Sequence, residues 1–391
     1  MTDRRVALER ALELAAGLAP DGAAEDVPVE RAAGRVLAED VLALTDLPAH
    51  DESAMDGFAF RTADRGRRRR MSGDSSAGYP PPALPPSAAC RISTGAALPE
   101  GADAVVRLED CELRDEEIEL TRRVAPGRDV RRQGEVIRKG HVAVRDGTKL
   151  GSGEVLVLAS VGRRVVRCRR RPSVAILATG SELAALGADP SPYAVYDSNR
   201  AAIGVQAEAA GARVVASRRV GDDPAATREA ISELLLGDDA PRLLVTLGGL
   251  SVGPHDHVRE ALAQVEVEEL MHGVRATPCR PLWLGRLGDQ IVLGLPGNPV
   301  SAAVGFHVFG RPLLGVPDPW HRRAPLAAPQ PTRDDRAHLV PCRFGGRGLE
   351  TTPGQGSHSV VSLIGADAVA WVPAADHPLP AGEWVRFSLL P

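Results

Sequence analysis

The period of apolar and polar residues changes along this chain, and the changes divide it. Residues 4–18 place Val6, Leu8, Leu12 and Leu14 among Ala, Glu and Arg. That helical spacing predicts an amphipathic helix. Residues 30–40 (ERAAGRVLAED) predict a second, short one. From about 46 to 145 the apolar residues come in short alternating runs (AVVRLEDCEL, EIELTRRV, HVAVRDGTKL) broken by Gly, Pro and Asp. This pattern predicts an all-β module, with Tyr79–Pro86 as a stiff proline-rich surface loop. Helical character returns at about 152–162 (SGEVLVLASVG).

From Arg171 strand and helix patterns alternate. VAILAT reads as a strand and SNRAAIGVQAEAAGA as a helix closed by Gly211. RVVASRRV is a strand, followed by a helix with Asp223 as N-cap, Pro224 at its first position and Ile231, Leu234 and Leu235 on its buried face. RLLVTL and QIVLGL are further strands. HVREALAQ follows the first as a helix, and a helix with Asn298 as N-cap and Pro299 at its first position follows the second. Alternation of this kind predicts a doubly wound parallel sheet over 172–316. Pro-rich residues 317–331 read as a linker, and AHLVPCRF, AVAWVP and EWVRFSLL as a small terminal β module. The fold class is multidomain α/β plus β.

Composition narrows the function. The 391 residues suffice for several domains of about 100–200 residues. A net charge of −4 leaves no global footprint for nucleic acid. The one basic block, Arg67–Arg70, reads as a solvated loop. No apolar run approaches the roughly 20 residues of a membrane helix. The charged N-terminus lacks a signal-peptide core. Five scattered cysteines without CxxC spacing argue against disulfides or zinc and fit a reducing cytoplasm.

Three predicted strand ends carry polar, glycine-bearing turns: Thr179-Gly180-Ser181-Glu182, Gly248 to Asp256, and Leu295 to Pro299. In a parallel sheet they open on one edge, where glycine admits a ligand to the backbone and helix N-termini favour anions. Glu182, Asp222, Asp223 and Asp256 read as lying at helix starts. Capping accounts for Asp223; Glu182 and Asp222 are open between capping and a cation or substrate role. Asp256 is out of place in a loop built for phosphate alone, and points to a divalent cation beside the anion. His255 and His257 flank it, but side chains at i and i+2 diverge on a helix, which disfavours a shared metal. In the β module, Asp56-Gly57 reads as a turn before a strand, and Thr94 as a residue able to donate to a phosphate.

Collected in order, SAMDGFAF (53–60), RISTGAALPEGADAVV (91–106), DVRRQGEVI (129–137), TGSEL (179–183), YDSNR (196–200), GDDP (221–224), TLGGLSVGPHD (246–256) and LPGNPVSA (295–302) resemble the molybdopterin molybdenumtransferase family, MoeA and the E domain of gephyrin. The resemblance covers nearly the whole chain. It implies a helical linker domain of 1–45 with 146–171, a β-rich module at 46–145 inserted in it, a molybdopterin-binding α/β domain at 172–316 and a C-terminal small β-barrel at 325–391. It further implies a homodimer with an active site shared between subunits. The implied reaction is Mg2+-dependent insertion of molybdate into adenylylated molybdopterin with release of AMP. The implied partners are the molybdopterin adenylyltransferase and molybdoenzyme apoproteins.

Carried over by position, Asp56, Glu182, Asp222 and Asp256 are the implied catalytic acids, with Asp222 and Asp256 holding the metal. Thr94, Gly180, Ser181, Gly248, Gly249, Ser251, Gly253, Arg280, Pro296, Gly297, Asn298, Pro299 and Ser301 bind substrate, and Arg280, Arg336 and Ser357 face molybdate. The chain departs from the family twice. Val136 follows Gly134-Glu135 where the family reads GED. Thr277-Pro278-Cys279-Arg280-Pro281 stands where it reads KPGKP. Arg280 keeps one charge and Thr277 loses the other, with Arg275 placed to lean in. Weakened oxyanion or pterin binding is expected, since a lost charge-assisted contact costs about 1.5–3 kcal/mol. The alternative reading of the same departures is a paralogue that binds molybdopterin or finished cofactor as carrier, scaffold or regulator. A third is an unrelated sugar- or nucleotide-binding α/β enzyme.

Overall fold

The computed structural model describes residues 5–20, 22–250, 256–316 and 320–390. The chain forms two compact units, Ala24–Arg170 and Met1–Ala23 with Arg171–Pro391.

The second unit is built on a six-stranded sheet. Its strands are β1 (Ser173–Thr179), β2 (Arg213–Val220), β3 (Leu243–Leu247), β4 (Glu268–His272), β5 (Trp283–Leu287) and β6 (Gln290–Leu295), in the order β2-β1-β3-β6-β5-β4. The first four are parallel, as the alternation of strand and helix predicts. The sheet as a whole is mixed, not wholly parallel. β5 turns back on β6 through Gly288-Asp289, and both β6 and β4 pair with it antiparallel. Gly285 in β5 has no side chain because the Trp283 ring occupies the place of a Cβ.

Helices α1 (Leu8–Gly17), α2 (Ser198–Ala209) and α5 (Pro299–Gly305) pack on one face of this sheet. Helices α3 (Pro224–Leu236) and α4 (Val258–Gln264) pack on the other, which makes the sheet doubly wound. Asp223 caps α3 by accepting from the Ala226 N–H at 2.7 Å. The buried stripe of α1 is Leu8, Ala11, Leu12 and Ala15, an i, i+3, i+4, i+7 face. It joins the α/β core, so the N-terminal helix does not belong with 146–171 as expected.

The C-terminal sheet runs in the order 276–277, 337–345, 368–372, 384–389 and 322–325, with 348–351 also paired on 337–345. A bridge between Leu326 and Leu349 brings its two ends together, rolling it into a half-barrel. Two expectations change here. The supposed linker contains Arg322–Pro325, an edge strand of this sheet. Ala276-Thr277 also leaves the α/β chain to pair in parallel with Ala337-His338.

The unit Ala24–Arg170 holds a six-stranded sheet of its own, in the order 104–107, 57–60, 88–92, 68–75, 117–120 and 111–114. Its core includes Phe58, Phe60, Ala89, Val106 and Ile118. Gly57 is required because the Val106 carbonyl stands where a Cβ would project. Arg67, Arg68 and Arg70 of the basic block are exposed, as expected, but Arg68–Arg70 begin a strand and Arg69 is buried. Arg69, 2% exposed, donates to the carbonyls of Asp64, Gly66 and Arg68 and lies 5.5 Å over the Phe60 ring. The expected second helix at 30–40 is only a 3-10 turn, Val29–Arg31, and Gly34 at φ +77 turns the chain away. The remainder, expected to be helical, is chiefly the ladders 24–28 with 165–169 and 41–42 with 142–144, plus one helix, Ser152–Ser160.

Candidate functional site

The three glycine-bearing turns lie on one sheet edge, because β1, β3 and β6 are parallel neighbours. The strand ends are tied together. The Gly248 N–H donates to the Leu295 carbonyl at 3.0 Å. Gly248 and Gly249 take φ +84 and +66. A Cβ on Gly249 would stand 2.8 Å from Thr179 Oγ1 and 2.6 Å from Val258 Cγ2. Only glycine fits where β3 turns between β1 and α4.

The acids divide. The Ser181 N–H donates to Asp222 Oδ2 at 3.0 Å, and the Asp222 N–H returns to Ser181 Oγ at 2.9 Å. This reciprocal pair joins the β1 and β2 ends. Glu182 does not start a helix. It sits in a turn before the short strand Leu183–Ala184, and α2 begins only at Ser198. Its carboxylate folds over Gly180, at φ +150, where a Cβ would strike it. Asp256 is half-buried just ahead of α4. Ser251, Gly253 and His255 lie outside the described residues.

The residues of the 295–301 segment differ in exposure. Gly297 and Asn298 are exposed, Pro299 is half-buried, and Pro296 and Ser301 are buried. Asn298 occupies the N-cap position of α5 without capping it; its amide donates instead to Ser357 Oγ at 3.2 Å. The Val300 N–H donates to the Ser357 carbonyl at 3.1 Å, so Ser357 of the C-terminal sheet region is fixed against this loop. Asn199 donates to the Gly297 carbonyl at 2.7 Å. Asp197 holds the start of α2, accepting from Arg200 Nε at 2.6 Å. Sequence reasoning gave Asn199 and Asp197 no role, because a polar residue at a helix start is ordinarily a cap.

Two clefts flank this edge, one on each face of the sheet. The first, about 200 Å³, is lined by Asn199, Ala202, Pro299, Ala303, Val360 and Leu363. The second, about 180 Å³, is lined by Pro224, Arg228, His257 and Glu260. Among the described residues no three His, Cys, Asp or Glu side chains gather to hold a metal. Asp222 and Asp256 supply hard carboxylate oxygens on this edge. That set fits Mg2+, which takes one or two carboxylates and completes its shell with water and substrate phosphate.

The departing loop 275–281 packs beside α5. Cys279, 1% exposed and at φ +90, directs its Sγ to the Ser301 carbonyl at 3.7 Å. Burial pushes its thiol well above the usual range. Arg280 is exposed. Arg336 pairs through Nε with Asp335 at 2.9 Å and lines a separate open cleft of about 600 Å³ with Arg333, Asp334 and Asp376.

In the unit Ala24–Arg170, Asp56 and Thr94 come together. Asp56 Oδ1 accepts the Thr94 N–H at 2.7 Å and the hydroxyl at 3.1 Å, and these bonds hold its carboxyl below the usual range. Thr94 is thus already engaged with an acid. Asp51 accepts from the Gln133 N–H at 2.8 Å and from Arg132 at 2.6 Å, fastening the 129–137 loop to the 51–56 loop. Glu135 turns back to accept the Arg132 N–H at 2.8 Å, so it caps its own turn. Val136 is 64% exposed.

Comparison with known proteins agrees along the chain. Residues 6–162 match the MoeA N-terminal region (domain I and II), 175–315 a probable molybdopterin binding domain, and 323–390 the MoeA C-terminal region (domain IV). Molybdopterin molybdenumtransferase 2 of Mycobacterium tuberculosis is 34% identical over 77% of this chain and 78% of its own length. The molybdopterin molybdenumtransferase of Haemophilus influenzae is 34% identical over 74% and 72%. A crystal structure of a molybdopterin biosynthesis MoeA protein from Pyrococcus horikoshii superposes with a TM-score of 0.82 at 30% identity, covering 98% of this chain and 99% of that one.

Proposed function

The chain belongs to the molybdopterin molybdenumtransferase family, and from that premise we propose that it inserts molybdate into adenylylated molybdopterin with release of AMP. The observation that carries the proposal is the common edge of β1, β3 and β6, with its glycine turns and carboxylates.

A pyrophosphate-linked substrate needs backbone approach at its phosphates and carboxylates for its cation. Gly248, Gly249 and Gly297 give the approach. Ser181, held by Asp222, offers a hydroxyl, and Asn199 fixes the Gly297 peptide against which the phosphate lies. Asp222 and Asp256 would hold Mg2+, which supplies charge neutralisation at the phosphoanhydride that breaks as AMP leaves. Glu182, exposed in its turn, would take a proton from the water whose oxygen bonds to phosphorus as the phosphoanhydride breaks. Arg280 and Ser357 receive the oxyanion. Asp56 and Thr94 act as a bonded pair.

The same proposal includes a homodimer and a cytoplasmic setting, which five free thiols suit. It also includes supply by the adenylyltransferase and delivery to molybdoenzyme apoproteins. A carrier role without chemistry rests on Val136 and Thr277 alone, and the relatives named as transferases do not favour it. Expression in a strain lacking the insertion enzyme tests the proposal. Restored molybdoenzyme activity, lost again in Asp222→Asn, is expected. No restoration by the well-expressed wild-type chain overturns it.

A further inference from the structure

Within the motif YDSNR (196–200), Asp197 and Asn199 fasten α2 at the site, which leaves Tyr196 without a task. Tyr196 ends an arch that leaves the sheet edge after β1 and returns to it at α2. The arch closes at its base, where Leu183–Ala184 pairs in parallel with Val195–Tyr196. The Val195 N–H donates to the Glu182 carbonyl at 2.9 Å, and the Asp197 N–H to the Ala184 carbonyl at 3.0 Å. Arg219 of β2 donates to the Leu183 carbonyl at 2.7 Å. The base of the arch is therefore held at the edge that carries Gly180 and Asp222.

Parity along this ladder decides which way the ring goes. Side chains alternate on an extended strand, so Glu182 and Ala184 share one face and Leu183 takes the other. Leu183 packs on the α/β core. Tyr196 pairs with Ala184, which puts its ring on the Glu182 face, at a diagonal spacing of about 8 Å. Glu182 in turn folds its carboxylate over Gly180.

The ring is open and yet fixed. Its cross-strand partner is only the Ala184 methyl group, and Tyr196 is 46% exposed. Among the described residues no aromatic ring or cation lies on it. Its hydroxyl donates to the Ala188 carbonyl at 3.0 Å, so the side chain is anchored at both ends. Tyr193, three residues earlier, is 91% exposed, and its hydroxyl has no partner among the described residues. An immobilised ring gives up little side-chain freedom when a second flat ring meets it, and aromatic side chains take heteroaromatic bases on that face by stacking.

We propose that Tyr196 is a stacking platform for a heteroaromatic ring of the substrate whose phosphates lie at the glycine edge. The proposal rests on the functional reading above and deepens it by naming a residue of this chain that orients the substrate. That substrate carries two such rings, adenine and pterin, two sources of one chemistry.

The test is equilibrium binding of AMP, and separately of molybdopterin, to the full chain in Mg2+. It compares wild type with Tyr196→Ala, Tyr196→Leu, Tyr196→Phe, Tyr196→Trp and Tyr193→Ala. Loss of one ring-on-base stack weakens binding about five- to a hundredfold. Tyr196→Ala and Tyr196→Leu are expected to show that loss, and Tyr193→Ala none. Tyr196→Phe keeps the ring and frees an exposed carbonyl to water, so it is expected to lose no more than about threefold. Stacking also lowers the absorbance of the bound ring. That hypochromism is expected with Tyr, Phe or Trp at 196 and not with Ala or Leu. Loss for AMP alone assigns the platform to adenine, loss for molybdopterin alone to the pterin, and loss for both to a face that either ring reaches. Tyr196→Phe as weak as Tyr196→Ala makes the residue a strut of the arch and overturns the platform, as does unchanged binding of both ligands in Tyr196→Ala. If Asn199→Ala is then weakened, the functional reading stands without the platform. A wild-type chain that binds neither ligand overturns the platform and counts against the reading itself.

Discussion

Asp56 is held by both polar groups of Thr94, and the two bonds lower its pKa. Thr94→Ala removes the hydroxyl bond, so the Asp56 pKa is expected to rise toward the ordinary carboxylate value, while Thr94→Ser keeps it low. A carboxyl NMR titration checks this; an unmoved Asp56 in Thr94→Ala contradicts it. Asp197 is the buried counterpart. Its carboxylate is 1% exposed and bonded to Arg200. Asp197→Ala leaves that guanidinium without its carboxylate, keeping only its bond to Ser217 Oγ, and is expected to cost about 3 kcal/mol in urea unfolding.

His307 makes the pH dependence explicit. It lies inside the unit, its Nε2 bonded to Ser388 Oγ at 2.6 Å and its Nδ1 facing Arg311. Burial, with Arg311 beside it, pushes its pKa down to about 3 from 6.5. Between those values the unfolded chain binds a proton that the folded chain does not. Stability is therefore full above pH 6.5 and falls as pH drops toward 3. His307→Gln is expected to lose about 1.4 kcal/mol less than wild type between pH 7.5 and pH 5.5. An equal change in unfolding free energy between the two pH values in wild type and His307→Gln would exclude this account.

At the scale of elements, the site depends on how α2 is fastened to the turn after β6. Asn199→Ala frees the Gly297 carbonyl, which is exposed and can bond water, so stability should fall by under about 1 kcal/mol. Turnover is expected to drop about tenfold or more, because a displaced loop misplaces the substrate. An Asn199→Ala chain as active as wild type would remove this residue from the site. The glycine edge was legible because β1, β3 and β6 are buried on both faces and read as unbroken apolar runs ending in Gly. The bond from Asn298 to Ser357 was not legible. N-cap spacing is a local pattern, and Ser357 lies 59 residues away. The 276–277 ladder was hidden for the same reason: two residues have no period, and their pairing is set by a strand 61 positions on.

For the whole molecule, the alternation of strand and helix was enough to place the α/β region, and short β runs enough to place both β-rich parts. What sequence could not assign was membership. The α1 stripe would suit any apolar face, and only the fold shows that it completes the α/β core. Assembly as a homodimer predicts about twice the mass of the 41.2 kDa chain in sedimentation equilibrium, and a monomer at micromolar concentration would refute it. The most direct test of the transferase account is AMP release. Purified chain, adenylylated molybdopterin and Mg2+ are mixed with and without molybdate, and AMP is measured beside pterin-bound molybdenum. The account predicts molybdate-dependent AMP release matched mole for mole by metal on the pterin. Pterin binding with AMP at background would contradict it.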